Sequence, residues 1–389
     1  MNAREGVFVL LAGAIFCASG LSCRRDTPTV SRGLTEQKCR RWAERIEKSI
    51  NAGDAGLLNQ SLDIQALMAK ASAGLELAAK DKAEFLNGLR PMRERFGQEV
   101  CRSLGDFGTY KCLRIRRGDG QYHALFRKTG EGVNYHDLHL SADRAGKVCI
   151  RDAYLYLAGE NLSDLCRRLL IQVLKQSRDR PGLPNEWFQA LPAVEAMHAH
   201  FRHQRWAEYL KAYETLPAPV RKEKGILVQR LMVARNVSEE AYGQALADFI
   251  KTCPADPTAD LHSLTWYKTT GRFNEAHKAV DRLEKRMDHD PYLKVLRANV
   301  CMLQADPARA RSLLEQAARE EPDLPETYWK MVEAAAAQKD YPAAVRALRT
   351  LVADLKRALP DLNNDPAMGD FLQSDAYAEW AAAQGPGGQ

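Results

Sequence analysis

The stretch YKTTGRFNEAHKAV, residues 267–280, sets Gly271 at a turn, Phe273 two residues on, and Ala276 three beyond that aromatic. Ala310 and Ala344 follow at intervals of 34 residues. Other positions keep the period: Leu264, Ala298 and Val332; Tyr267, Cys301 and Ala335; Val280, Leu314 and Leu348; Leu283, Ala317 and Leu351. Each unit reads as two amphipathic helices of about 14 residues joined by a tight turn. The turns fall at Gly271-Arg272, Ala305-Asp306 and Lys339-Asp340. An Ala is expected where the two helices of a unit cross, because only a small side chain lets their backbones approach closely.

This order of small residue, Gly, aromatic and Ala resembles the tetratricopeptide repeat over residues 257–358. Phe273 and Tyr341 take the aromatic place, Pro307 departs from it, and Pro322 matches the family's helix-ending Pro. The resemblance implies an all-α solenoid over 186–358. Its first two helix pairs are degenerate, at about 186–200 with 205–219 and 221–235 with 238–254. Residues 362–384, with Phe371, Leu372, Tyr377 and Trp380, read as a capping helix, or a pair of short helices, over the open apolar end. The resemblance also implies a concave groove for a protein or peptide, lined by Thr265, Lys268, Tyr292, Asn299, Met302, Trp329 and Glu333. Tyr292 and Trp329 are the rigid aromatics that would anchor a partner. Packing of that face against the N-terminal domain is the alternative.

A chain of 389 residues suggests two or three domains. The net charge of +6 is mild for a surface of this size, and no nucleic-acid motif accompanies it. No nucleic-acid partner is expected.

At the N-terminus, Arg4 leads an apolar run from Val7 to Ala18, followed by small residues and Cys23. The run is about half the roughly 20 residues of a spanning helix, so residues 1–22 read as a signal peptide. Gly20-Leu21-Ser22-Cys23 resembles the lipobox of bacterial lipoproteins, although Gly20 stands where that family prefers Leu. The resemblance implies lipidation of Cys23, a polar tether over 23–34 and an exported protein anchored at the cell envelope. A non-lipidated secretory signal is the alternative.

Of nine cysteines, Cys17 lies in the leader and Cys23 would carry lipid. The rest show no C-x-x-C spacing, which argues against a zinc knuckle or a thioredoxin-type site. Cys101 with Cys112, or Cys149 with Cys166, would suit disulfides in an oxidising compartment. Small buried thiols are the equal alternative.

Residues 35–178 form a separate N-terminal domain. Helical patterns at 36–54, 55–74 and 80–101 come first, the last divided or kinked by Pro91. Four β-type runs follow, separated by Gly118-Asp119-Gly120, Gly130-Glu131-Gly132 and Arg144-Ala145-Gly146, and then a helix over 161–177. Short connections dictate an antiparallel meander. Helices followed by a curled four-stranded sheet resemble the cystatin-like α+β roll of nuclear-transport-factor and ketosteroid-isomerase relatives. That resemblance implies a pocket between sheet and helix.

In VNYHDLHL (133–140), alternation puts Tyr135, Asp137 and His139 on one strand face, opposite Asn134, His136 and Leu138. Asp137 with His139 suits acid–base chemistry or a metal, for which His123 or Asp152 would have to supply a third ligand. The candidate pocket is therefore His123, Tyr135, Asp137 and His139, against an exposed polar face as the plainer reading. Lys111, Arg114, Arg116, Arg117, Arg127 and Lys128 read as a charged edge hairpin, with an anionic partner such as a lipid headgroup or glycan as the alternative. No nucleophile elbow, phosphate loop or dinucleotide fingerprint is present, so no catalytic residue or cofactor is assigned. The expectation is a non-catalytic adaptor, with a small-ligand or enzymatic roll as the alternative.

Overall fold

A computed structural model of the chain describes residues 34–384, apart from 76, 131, 174–184, 255, 360–361 and 363–364. The segment expected to be a signal peptide, with Cys23, lies outside the described residues. The chain folds as two compact units: residues up to 103 with 110–262, and Leu104–Thr109 with 263 onwards.

The first unit opens with α1 (Glu36–Asn51), α2 (Gly56–Ser61), α3 (Ile64–Ala71) and α4 (Ala79–Arg102). Thr35 caps α1 through its side chain, and Cys39, Trp42, Ala43, Ile46 and Ile50 form its buried stripe. Pro91 does not divide α4, which runs as one helix of 24 residues. Asn59 ties α2 to α4: its Oδ1 accepts from Gly97 N at 2.6 Å, and its Nδ2 donates to Glu94 O at 2.7 Å. A Cβ on Gly97 would lie 2.9 Å from Ala55 O, so the crossing requires glycine there.

The sheet is antiparallel in sequential order, with β1 (Tyr110–Gly118), β2 (Gln121–Lys128), β3 (Asn134–Ala142), β4 (Val148–Leu155) and β5 (Glu160–Asn161). The expected four runs are present, and a fifth, two-residue strand joins them. It forms because Gly159, at φ 68, turns the chain back so that Glu160 and Asn161 pair with Leu155 and Tyr154. The β1–β2 turn places both Asp119 (φ 49) and Gly120 (φ 75) in the left-handed region, as a two-residue hairpin of this hand requires. One sheet face carries Tyr110, Ala124, Phe126 and Leu138, all fully buried.

α5 (Leu162–Val173) follows, and then α6 (Asn185–Arg202), α7 (Trp206–Glu214), α8 (Ala218–Arg221), α9 (Lys224–Ala234) and α10 (Glu239–Thr252). These helices close near the expected bounds, but they belong to the same unit as the sheet. Thr258 Oγ1 donates to Tyr156 O at 2.7 Å, and Lys224 Nζ to Tyr154 OH at 3.0 Å. Glu160 and Arg168 form a bidentate pair beneath Gly225, with Arg168 Nη2 2.5 Å from Glu160 Oε1.

α11 (Pro257–Thr269) leads to the second unit, which holds α12 (Phe273–Met287), α13 (Tyr292–Leu303), α14 (Pro307–Glu320), α15 (Pro325–Ala337) and α16 (Tyr341–Arg349). Consecutive helices pack on one another from α12 to α16, and α13 also touches α15. Ala276, Ala310 and Ala344 are each fully buried. The other period-34 positions are buried too, except Tyr267, which is half-buried. Gly271, Ala305 and Lys339 are left-handed, at φ 69, 57 and 57. The next N–H in each turn reaches back to the carbonyl of Tyr267, Cys301 or Ala335, at 2.8 to 2.9 Å. The turn between α6 and α7 repeats this geometry: Gln204 has φ 54, and Arg205 N donates to His200 O at 2.9 Å.

Beyond α16 come a π-helical turn (Thr350–Asp354), a 3-10 turn (Pro366–Met368), α17 (Gly369–Leu372) and α18 (Asp375–Gln384). The capping segment, expected as one helix or a pair of short ones, is built from short pieces. Phe371 and Trp380 are buried, with Tyr341 and Tyr377 against Phe371 at 6.0 and 5.2 Å, covering α16. Among the described residues no strand follows Asn161, and no helix is long and apolar enough to cross a membrane.

Candidate functional site

Register decides which side chains meet on the sheet. Lys128 pairs with Asn134 at the β2–β3 turn, and counting back along both strands sets His123 opposite His139. Asp137 stands two residues from His139 and therefore shares its face. One donor atom from each of His123, Asp137 and His139 lies within 4.8 Å of the other two. The imidazole rings of His123 and His139 are 4.6 Å apart between centroids.

Asp137 is held from two sides. Its Oδ1 is 3.2 Å from His123 Nδ1, and its Oδ2 accepts from Arg116 Nη2 at 2.8 Å. Burial alone would raise its pKa, but the His123 hydrogen bond and the Arg116 guanidinium outweigh that and hold the carboxyl below its ordinary range. His139 is shifted down as well, by burial and by the neighbouring His123. Two ring nitrogens in this cluster, His123 Nε2 and His139 Nδ1, are buried without a hydrogen-bond partner.

The structure therefore brings together three of the four pocket residues proposed from sequence. Tyr135 shares the face but is fully buried, edge-on to Tyr156 at 5.9 Å. Asp152, the other proposed third ligand, is committed elsewhere: it accepts from Ser163 Oγ at 2.6 Å and pairs with Lys70 at 3.0 Å. The sequence held a signal for His123 after all, because a turn centred on position 131 mirrors position 123 onto 139.

The charged-edge reading of the first hairpin needs correction at its inner end. Arg127 and Lys128 are buried, since β2 is an interior strand between β1 and β3. The cysteines considered for disulfides are free thiols. Cys166 Sγ lies 4.0 Å from Met92 Sδ and Cys149 Sγ 3.0 Å from Ser141 Oγ. Burial pushes the Cys112 and Cys166 thiols up to about 12, as for small buried side chains.

The expected groove residues are not freely exposed. Tyr292 is buried, and Thr265, Lys268, Asn299, Met302, Trp329 and Glu333 are half-buried. Trp329 stacks on Phe107 of the second unit at 5.6 Å and 22°. Glu333 pairs with Lys330 at 2.5 Å. An open cavity of about 220 Å³ lies instead among α14, α15 and α16, with Tyr328, Met331, Ala335 and Ala347 in its wall and Arg311, Glu315 and Arg346 also lining it.

On the opposite sheet face, His136 is enclosed by Tyr110 OH at 3.2 Å and Asn134 Nδ2 at 3.1 Å. Burial, with Lys128 nearby, pushes its pKa from 6.5 down to about 3. Between those values the unfolded chain binds a proton that the folded chain excludes. The stabilising contribution is therefore complete above pH 6.5 and is lost as the pH falls towards 3. Thermal unfolding from about pH 7 to about pH 4.5 should show a loss of roughly 1.4 kcal/mol per pH unit from this group once the pH is below its unfolded value. His136→Phe should flatten that slope, and an unchanged slope would contradict the assignment.

Compared with known proteins, the sequence matches no family model and no curated protein.

Proposed function

We propose that this chain is an exported, lipid-anchored adaptor without catalytic activity, which binds a protein or peptide through a tetratricopeptide-like helical array at the bacterial envelope. One observation carries the reading. The turns at residues 204, 271, 305 and 339 share one left-handed geometry, and the small residues of the 34-residue period are buried between successive helices. Such arrays bury apolar surface only against neighbouring units and present extended binding faces. The lipobox-like residues around Cys23 support the anchor, and the helix-then-sheet order supports a cystatin-like roll.

The place of contact differs from the one the family pattern suggests, because Trp329 already has Phe107 against it. The cavity among α14, α15 and α16 suits a segment with apolar and acidic side chains, given the exposed Arg346 at its lining. Wild-type protein and the Met331→Asp/Arg346→Glu variant are to be compared for capture from envelope extracts. The reading requires a species bound by the wild type and lost from an equally folded variant. Identical captured sets would contradict it. A second reading, a ligand-binding role for the sheet, is favoured by the convergence of His123, Asp137 and His139.

A further inference from the structure

We propose that His123, Asp137 and His139 bind a single first-row divalent transition ion, with Zn²⁺ as the reference occupant. The site stands independently of the adaptor reading. Donor atoms about 2.0–2.2 Å from one tetrahedral ion stand roughly 3.3 Å apart. The present separations, all within 4.8 Å, are closed by side-chain adjustment with the strands kept in place.

An unsatisfied nitrogen argues for a ligand. A buried polar atom without a partner has lost its hydration and gained nothing in return, and His139 Nδ1 is such an atom in this cluster. In the tautomer that keeps its proton on Nε2, His123 Nδ1 carries a lone pair 3.2 Å from Asp137 Oδ1, close to that donor spacing. A cation satisfies that lone pair and a second one on His139, and the Asp137 carboxylate balances part of its charge.

Arg116 acts as a positioning residue. By holding Oδ2 it fixes the Asp137 carboxyl and leaves Oδ1 on the histidine side. Entry is provided at His139, which is half-buried while His123 and Asp137 are buried. Two imidazoles and one carboxylate select Zn²⁺, Fe²⁺, Co²⁺ or Ni²⁺ over Ca²⁺ and Mg²⁺, which prefer all-oxygen shells. Three protein donors leave a coordination position for water or a small anionic ligand.

The seven described free cysteines are the competing donors, so the test must separate nitrogen from sulfur. The full chain, stripped with a chelator, is titrated with Co²⁺ and Zn²⁺. One equivalent should bind and raise the unfolding temperature, and Co²⁺ should give weak visible bands without thiolate charge-transfer absorption. X-ray absorption of the Zn²⁺-loaded wild type should report two imidazoles and no sulfur. His139→Gln, folded by circular dichroism, should weaken binding more than about 100-fold, beyond the roughly 10- to 100-fold of an outer-shell change. Absence of stoichiometric binding, sulfur in the first shell, or unchanged affinity in His139→Gln would overturn the site. If His139→Gln does not fold, the wild-type absorption spectrum alone decides.

Discussion

Arg168→Met is expected to destabilise the first unit by about 3–5 kcal/mol, the cost of leaving one charge of a buried pair without its partner. Arg168 and Glu160 side chains are each only 11% exposed, and their bidentate contact lies under Gly225 at the start of α9. A Cβ at Gly225 would come within 2.6 Å of Glu160 Oε2, so the glycine lets the α9 backbone close over the pair. Once Arg168 is removed, Glu160 keeps its desolvation cost and loses its counter-charge. The double variant Arg168→Met/Glu160→Met should therefore recover most of the loss, because an apolar pair of similar size carries no desolvation cost. Urea unfolding of both variants checks this. A single variant within about 1 kcal/mol of wild type, or a double variant worse than the single, would contradict the buried-pair account.

The second large effect is expected on α14. Leu314→Ala should cost about 2–5 kcal/mol by opening a cavity, and Ala310→Leu about 1–3 kcal/mol by overfilling a closed crossing. Both residues are fully buried, whereas Ala308, on the same helix, is exposed. Ala308→Leu should then stay within about 0.5 kcal/mol of wild type. Opposite changes of volume that both destabilise are the signature of a filled interior. The same treatment of Ala276 and Ala344 should give the same sign, since each holds the equivalent place. Equal effects of Leu at 308 and 310 would mean that the helices do not pack as described.

The helical half was legible because each helical hairpin repeats one physical demand, a small residue where two rods cross, at a fixed interval. The period fails upstream for a specific reason. Gln204 has the same turn geometry as Gly271 but precedes it by 67 residues, one short of two repeats, so counting in steps of 34 misses it. Asp137 and His139 were legible as a pair because strand alternation is local. His123 depended on register across a turn, which the sequence carried in Gly130 and Gly132 (φ 107 and 100). Burial of Arg127 and the stacking of Phe107 on Trp329 were not legible. Both depend on which segments pack together across long stretches of chain, and neither composition nor period encodes that.

Excision of Phe273–Asp306 tests the repeat account most directly, because it removes 34 residues and joins Arg272 to Pro307 at equivalent places in two turns. In a quasi-one-dimensional stack each unit touches only its neighbours, so loss of one whole unit leaves a shorter stack in register. Circular dichroism and thermal unfolding should show a folded protein that has lost two helices and still melts cooperatively. A control excision that starts at the same residue but is seven residues shorter should fail to fold. If both excisions fail alike, or both fold alike, the 34-residue unit is not the building block of this half of the chain.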